Sequence, residues 1–159
     1  MAAPFTRMPM KLHPDVREFV ALCLSRKVEF LIVGGYALAF HGAPRFTEDI
    51  DLMVLVSPEN ADRLESVLQD FGFGDIGITR SDFLDGDQVI QLGRAPNRID
   101  LLTGISGVSW NEAWRSRVGM DLDGLGVFVI GKKELEKNKQ ATGRPQDLAD
   151  LARLRRDKS

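Results

Sequence analysis

Cysteine is almost absent: Cys23 is the one thiol in 159 residues, so no intramolecular disulfide can form and the fold must hold by packing alone. Long apolar runs are missing as well. The longest, around Phe30 to Val33 and Leu52 to Val56, fall far short of the ~20 residues a spanning helix needs. The first ten residues, MAAPFTRMPM, lack the apolar length of a secretory signal. Together these features predict a cytoplasmic protein with no membrane partner. A basic surplus is missing too: 21 Lys and Arg stand against 23 Asp and Glu, a net charge of -2. That excludes a globally basic nucleic-acid binder and leaves room only for a local basic face, because Lys132 to Lys158 is rich in Lys and Arg. Repeats, linkers and low-complexity stretches do not occur. What is present is ordinary: 43% hydrophobic and 28% charged residues, the balance of a soluble globular chain. Its length suits one domain, which would bury roughly two-thirds of its unfolded surface. We expect an α/β core over 13–130 and a C-terminal helical segment over 131–156.

The periodicity predicts a helix from Asp15 to Arg26 after Pro14, with Cys23 on its apolar stripe as a core thiol. Glu29 to Val33 reads as a strand buried on both faces, Gly34 to Gly42 as a short helix, and Asp49 to Val56 as a second buried strand. Ser57-Pro58-Glu59 supplies an N-cap, a proline at the first helical position and an early acid, opening a helix that runs to about Phe71. Gly72 to Asp87, with Gly72, Gly74, Gly77 and Gly86, predicts loops and one or two weak strands. Val89 to Leu92 and Arg98 to Leu102 read as strands joined by a turn over Gly93-Arg94-Ala95-Pro96-Asn97. A short helix over Asn111 to Val118, a strand over Val127 to Ile130, and helices over Lys132 to Gln140 and Pro145 to Arg156 complete the chain. This order predicts an α/β or α+β fold, a mixed sheet flanked by helices.

Charge interrupts two of the greasy strands. Residues two apart on a strand share a face, so Asp49 and Asp51 point one way while Ile50 and Leu52 pack the other; alternation turns Glu48 away and leaves it out of the site. Like charges this close repel, and a divalent cation between them removes the penalty. Oxygen-only ligands favour Mg²⁺, with Mn²⁺ the alternative. Asp100, in Arg98-Ile99-Asp100-Leu101-Leu102, is the candidate third carboxylate of a two-metal site; the alternative is a strand-end acid paired with Arg98 or Arg94. Gly34-Gly35 ends the first buried strand and opens a helix, which suits a phosphate cradle or simply a tight turn. Arg45 and Thr47 precede the acids and either contact phosphate or fix the loop. His41 reads as a packing residue with a local hydrogen bond rather than a catalytic one. Trp110 and Trp114, four apart on one helical face, read as packing aromatics.

Gly34-Gly35, thirteen intervening residues and Asp49-Ile50-Asp51-Leu52 resemble the hallmark of the DNA polymerase β-like nucleotidyltransferase superfamily. The fuller string VGGYALAFHGAPRFTEDIDL resembles its small AbiEii-like branch, and the tail KNKQATGRPQDLADL is similar to that branch's lysine helix followed by Arg-x-x-Asp-x-x-Asp. The resemblance spans about residues 30–154. It implies that Gly34 and Gly35 cradle a nucleoside triphosphate such as ATP, that Asp49, Asp51 and Asp100 hold two Mg²⁺ ions, and that Asp100 helps deprotonate the attacking hydroxyl. Arg45, Thr47 and Lys139 would contact the nucleotide, and Arg144 would pair with Asp147 to tie the last helix to the site.

The activity expected is transfer of a nucleoside monophosphate from an NTP to a hydroxyl of RNA, protein or a small molecule, in a toxin-antitoxin or phage-defence setting with an antitoxin as partner. The alternative is a non-catalytic module of the same fold that senses nucleotide or binds a partner.

Overall fold

A computed structural model of the chain describes residues 5–72, 77–94 and 97–156. Among the described residues a seven-stranded mixed sheet is flanked by helices, as the sequence led us to expect. The strands are β1 (Thr6–Met8), β2 (Phe30–Val33), β3 (Asp49–Val54), β4 (Val89–Leu92), β5 (Arg98–Leu102), β6 (Val118–Leu122) and β7 (Leu125–Val129). They lie in the spatial order β1-β6-β7-β2-β3-β5-β4. The helices are α1 (Pro14–Ser25), α2 (Gly34–Phe40), α3 (Pro58–Asp70), α4 (Trp110–Arg115), α5 (Lys132–Thr142) and α6 (Pro145–Arg156).

Local chemistry accounts for most boundaries. Pro14 and Pro58 fix φ at the first turns of α1 and α3, and the Ser57 hydroxyl accepts the Asn60 N–H at 3.1 Å. Gly143 ends α5 in the left-handed conformation (φ 65°). All four residues of β2 are buried, because β3 and β7 flank it and helices cover the sheet. Phe19, Leu31, Ile32, Leu52, Leu64 and Leu101 are among the core residues with essentially no exposure; each such side chain contributes about 1.5–3 kcal/mol by leaving water. Asn60 is a buried polar exception with its partners in place. Its amide accepts Glu29 N–H at 2.8 Å and donates to Glu29 O at 3.1 Å and Leu55 O at 2.8 Å, tying α3 to the ends of β2 and β3. Cys23 is fully buried, and burial pushes its thiol up to about 12.

Several expectations need correction. The described part of Gly72 to Asp87 holds no strand; a 3-10 helix forms over Arg80–Phe83, started by a reciprocal cap between Thr79 and Asp82 and anchored by buried Phe83. Gly74 and the Ala95-Pro96 part of the predicted turn lie outside the described residues. The short helix predicted to reach Val118 stops at Arg115, and Val118 instead starts β6. Strand β6 pairs with β7 through Asp123-Gly124, both at positive φ (51° and 84°). That two-residue Asp-Gly turn is a strong hairpin signal, and the sequence reading passed over it. Strand β1 was also unforeseen; its three residues exist because β6 offers a parallel partner. Helix α2 ends at Phe40, so His41 caps it.

Candidate active site

The site forms where three strand ends meet. Strand β2 runs antiparallel to β3 with Val33 opposite Asp51, and β5 runs parallel to β3 with Asp51 opposite Asp100 and Asp49 opposite Arg98. Pairing in register puts all four charged side chains on one face, toward the N-terminal ends of β3 and β5. Further along β3 that face carries buried Met53, while Ile50 and Leu52 fill the other side. Oxygens of Asp49, Asp51 and Asp100 lie within 4.8 Å of one another.

Gly34 is required by this arrangement. Its φ is +67°, and a Cβ there would sit 2.0 Å from Asp51 Oδ2; no side chain fits. At Gly35 a Cβ would press on Thr47 at 2.9 Å. The glycine pair is thus explained by the close approach of the very residues the acid strand delivers. The N-cap of α2 is Val33, whose side chain makes no capping hydrogen bond.

Burial pushes the Asp51 carboxyl up from an ordinary 3.8 to about 7. The charges of Asp100 and Asp49 and a hydrogen bond with Asp100 add to the rise, and Arg98 opposes it. A divalent cation binding here would displace that proton, so metal binding at this carboxyl is coupled to proton release. The donor set is all oxygen and closely spaced, which fits a hard divalent cation such as Mg²⁺ or Mn²⁺.

Opposite the acids, α5 and α6 close a cleft of about 460 Å³ whose walls include Gly34, Arg45, Asn138, Lys139, Thr142 and Arg144 besides the three aspartates. Lys139, the tail lysine expected to contact nucleotide, lines this cleft but is only 6% exposed, and it bonds Asp150 at 3.1 Å and Asp147 at 3.4 Å. Arg45 Nε reaches Asp150 at 3.2 Å, and Arg144 Nε reaches Asp147 at 2.6 Å. The expected Arg144–Asp147 pair is present. Charges alternate along Arg45, Asp150, Lys139, Asp147 and Arg144, three cations against two acids, which leaves one positive charge facing the cleft. Burial raises the Asp147 carboxyl, but hydrogen bonds from Arg144 and Thr142 and the charges of Lys139 and Arg144 outweigh it, holding the group at about 2.

Other candidates take structural positions. Thr47 Oγ1 donates to Asp49 O at 3.1 Å and accepts Asp49 N–H at 3.3 Å, fixing the turn into β3. His41 Nε2 bonds Ile130 O at 2.7 Å, and burial lowers its pKa, consistent with a packing role. Trp110 stacks on Trp114 at 5.3 Å, and the Arg117 guanidinium lies 3.9 Å over the Trp114 ring. Asp100 joins the acid cluster and also accepts from Arg98, the ion pair the alternative reading expected. Sequence reasoning missed Asp150 and the cleft-lining Asn138 and Thr142. Asp150 carried a signal, as the last acid of Arg-x-x-Asp-x-x-Asp, but only the packing of α6 on α5 turns it toward Lys139 and Arg45.

Among solved structures, the chain is similar to an antigenic nucleotidyltransferase-like protein from Paracoccidioides brasiliensis, at 18% identity and a TM-score of 0.51, covering 91% of this chain and 77% of that one. A candidate nucleotidyltransferase from Thermotoga maritima matches at 13% identity and a TM-score of 0.58, covering 94% and 98%. The lincosamide antibiotic adenylyltransferase LnuA in its lincomycin-bound form matches at 12% identity and a TM-score of 0.53, covering 92% and 98%. At such identities these likenesses establish the fold. No curated protein matches the chain significantly by sequence. The family model described as "Nucleotidyl transferase AbiEii toxin, Type IV TA system" matches residues 23–123, a span that holds the glycine pair and all three acids. On that match, and with the fold in agreement, the chain belongs to the AbiEii nucleotidyltransferase family and is a nucleotidyltransferase.

Proposed function

We propose that this enzyme moves a nucleoside monophosphate from an NTP, ATP in the first instance, to a hydroxyl acceptor, in a reaction that depends on Mg²⁺ or Mn²⁺. The observation that carries the reading is the register of β3 against β5, which sets Asp51 beside Asp100, with Gly34 pressed against Asp51.

Divalent cations held by Asp49, Asp51 and Asp100 would stabilise charge on the attacking and leaving oxygens. The chain's own groups do the remainder. Backbone N–H groups of Gly34 and Gly35 receive the triphosphate. The surplus positive charge of the Arg45–Arg144 network, with Lys139 at its centre and the exposed Arg144 at its rim, offsets the triphosphate's negative charge. Thr47 holds the turn that presents Asp49. Asp100 accepts the proton of the acceptor hydroxyl as its oxygen bonds the α-phosphorus; the bond to the β-phosphate oxygen breaks and pyrophosphate leaves.

The family's description as a toxin of a type IV system supports a cytoplasmic role in a toxin-antitoxin pair; among the described residues no helix is long and apolar enough to cross a membrane. The test is transfer of label from each α-labelled NTP, with Mg²⁺ and a cell extract, into RNA, protein or small molecules. Label should enter one class and vanish with EDTA or in Asp51→Ala. Full transfer by Asp51→Ala would sink the mechanism, and nucleotide binding without transfer into any class would favour the sensing module.

A further inference from the structure

The acid cluster carries its own cation. Arg98 opens β5 two residues before Asp100, on the same face, and stands opposite Asp49 in register. Its guanidinium therefore lies along both carboxylates. Nη2 donates to Asp49 Oδ2 at 2.6 Å and to Asp100 Oδ2 at 3.1 Å, while Nε donates to Asp100 Oδ1 at 2.9 Å. Both oxygens of Asp100 and one of Asp49 are committed to a positive side chain, and Asp51 has no ion-pair partner among the described residues.

Positioning alone does not call for this fork. Asp100 sits on a strand paired on both sides, with β3 and β4, so its backbone already fixes its Cβ on this face and leaves only its side-chain torsions to set. What the three acids lack without a divalent ion is positive charge, and Arg98 supplies it. The arginine side chain is 29% exposed, so it can swing away from the carboxylates without unpacking the core.

We propose that Arg98 is a resident counter-cation that stands in for the divalent ion in the metal-free protein and competes with it, so that Arg98 sets how much free cation loads the site. This rests on the cation requirement proposed above. Arg98 opposes loading in two ways. Its charge repels the incoming ion, and its hydrogen bonds hold lone pairs of Asp49 and Asp100 that ligation needs. Loading then depends on the free cation concentration rather than being permanent.

The test is calorimetric titration with Mn²⁺ of the wild type, Arg98→Gln and Arg98→Lys at one pH and ionic strength, beside thermal melts of each. Arg98→Gln should bind Mn²⁺ at least about tenfold more tightly, because a positive charge a few ångströms away is gone, and should melt lower than wild type without metal. Arg98→Lys, which keeps the charge without the fork, should fall between the two. Equal or weaker Mn²⁺ binding by Arg98→Gln would overturn the competition and make Arg98 a group that organises the acids. If Arg98→Gln unfolds without metal, the Mn²⁺ concentration that restores its melt decides instead: below the wild-type midpoint supports the proposal, above it refutes it. Failure of the wild type to bind Mn²⁺ at all is a different result; it removes the cation requirement, and this inference with it.

Discussion

Replacing Asp51 by asparagine should stabilise the cation-free protein at pH 8 and abolish its response to divalent cation. Asp51 titrates at about 7 in the folded chain against an ordinary 3.8. Below pH 3.8 the carboxyl is protonated in both states and the shift costs nothing. Between 3.8 and about 7 the folded chain keeps a proton that the unfolded chain has lost, so stability falls as pH rises through that window; by pH 8 the full penalty is present. A shift of roughly 3 units at ~1.36 kcal/mol each sets an upper bound of about 4 kcal/mol. The cleft admits water and Asp100 shares the strain, so we expect Asp51→Asn to gain about 1–3 kcal/mol at pH 8 and almost nothing at pH 4. Its amide also keeps a hydrogen bond to Asp100. Urea unfolding across this pH range, with and without Mg²⁺, reads both effects. The wild type should recover stability at pH 8 when Mg²⁺ is added, and the variant should not. A stability difference that stays flat with pH, or an unchanged Mg²⁺ response in the variant, would refute the claim that buried charge at Asp51 is what a cation relieves.

Gly34→Ala should cost about 1–3 kcal/mol and nearly all transfer activity, since it combines a positive φ of 67° with a Cβ 2.0 Å from Asp51 Oδ2; thermal melts and the label-transfer assay check the two parts. Lys139→Ala should destabilise by about 3–5 kcal/mol, because it strands the buried Asp147 and Asp150; chemical denaturation measures it, and a loss below 1 kcal/mol would show that Arg45 and Arg144 suffice as partners. Asp147, held at about 2, contributes stability that is present above pH 3.8 and disappears as pH falls toward 2. In Arg144→Gln that acid loss should shrink, which an acid titration of folding would reveal. Asn60→Ala should cost about 2–4 kcal/mol by leaving Glu29 and Leu55 backbone groups unpaired in the interior, with cation binding unchanged.

The elements nearest the site were the most legible in the sequence. Strands β2, β3 and β5 are apolar runs, broken in β3 and β5 by their charged residues and followed in β2 by the glycine pair, and alternation alone puts Asp49 and Asp51 on one face. Helices α1 and α3 announce themselves through proline and capping residues. What escaped notice depended on partners distant in the chain. Strand β1 has too few residues to show a pattern and needs β6 to exist, and the 3-10 helix at Arg80 hides in a glycine-rich stretch because its cap is reciprocal rather than apolar. The burial of Lys139 was not legible in the sequence, since burial of a charge cannot be read from its neighbours along the chain when its counter-charges come from another helix.

By itself the sequence determined the acid pair on β3 and the glycine turn after β2, since each follows from residues a few positions apart, and the family resemblance that they carry together implied the class of chemistry. The tertiary structure decided the rest. Only the register of β5 on β3 brings Asp100 to Asp51 and lays Arg98 across Asp49, and only the docking of α5 and α6 assembles five charges into one alternating chain on the cleft wall. The physical reason is range: alternation along a strand acts over two residues, whereas these charge pairs join groups up to 105 residues apart, and nothing local specifies which partner a charge will meet.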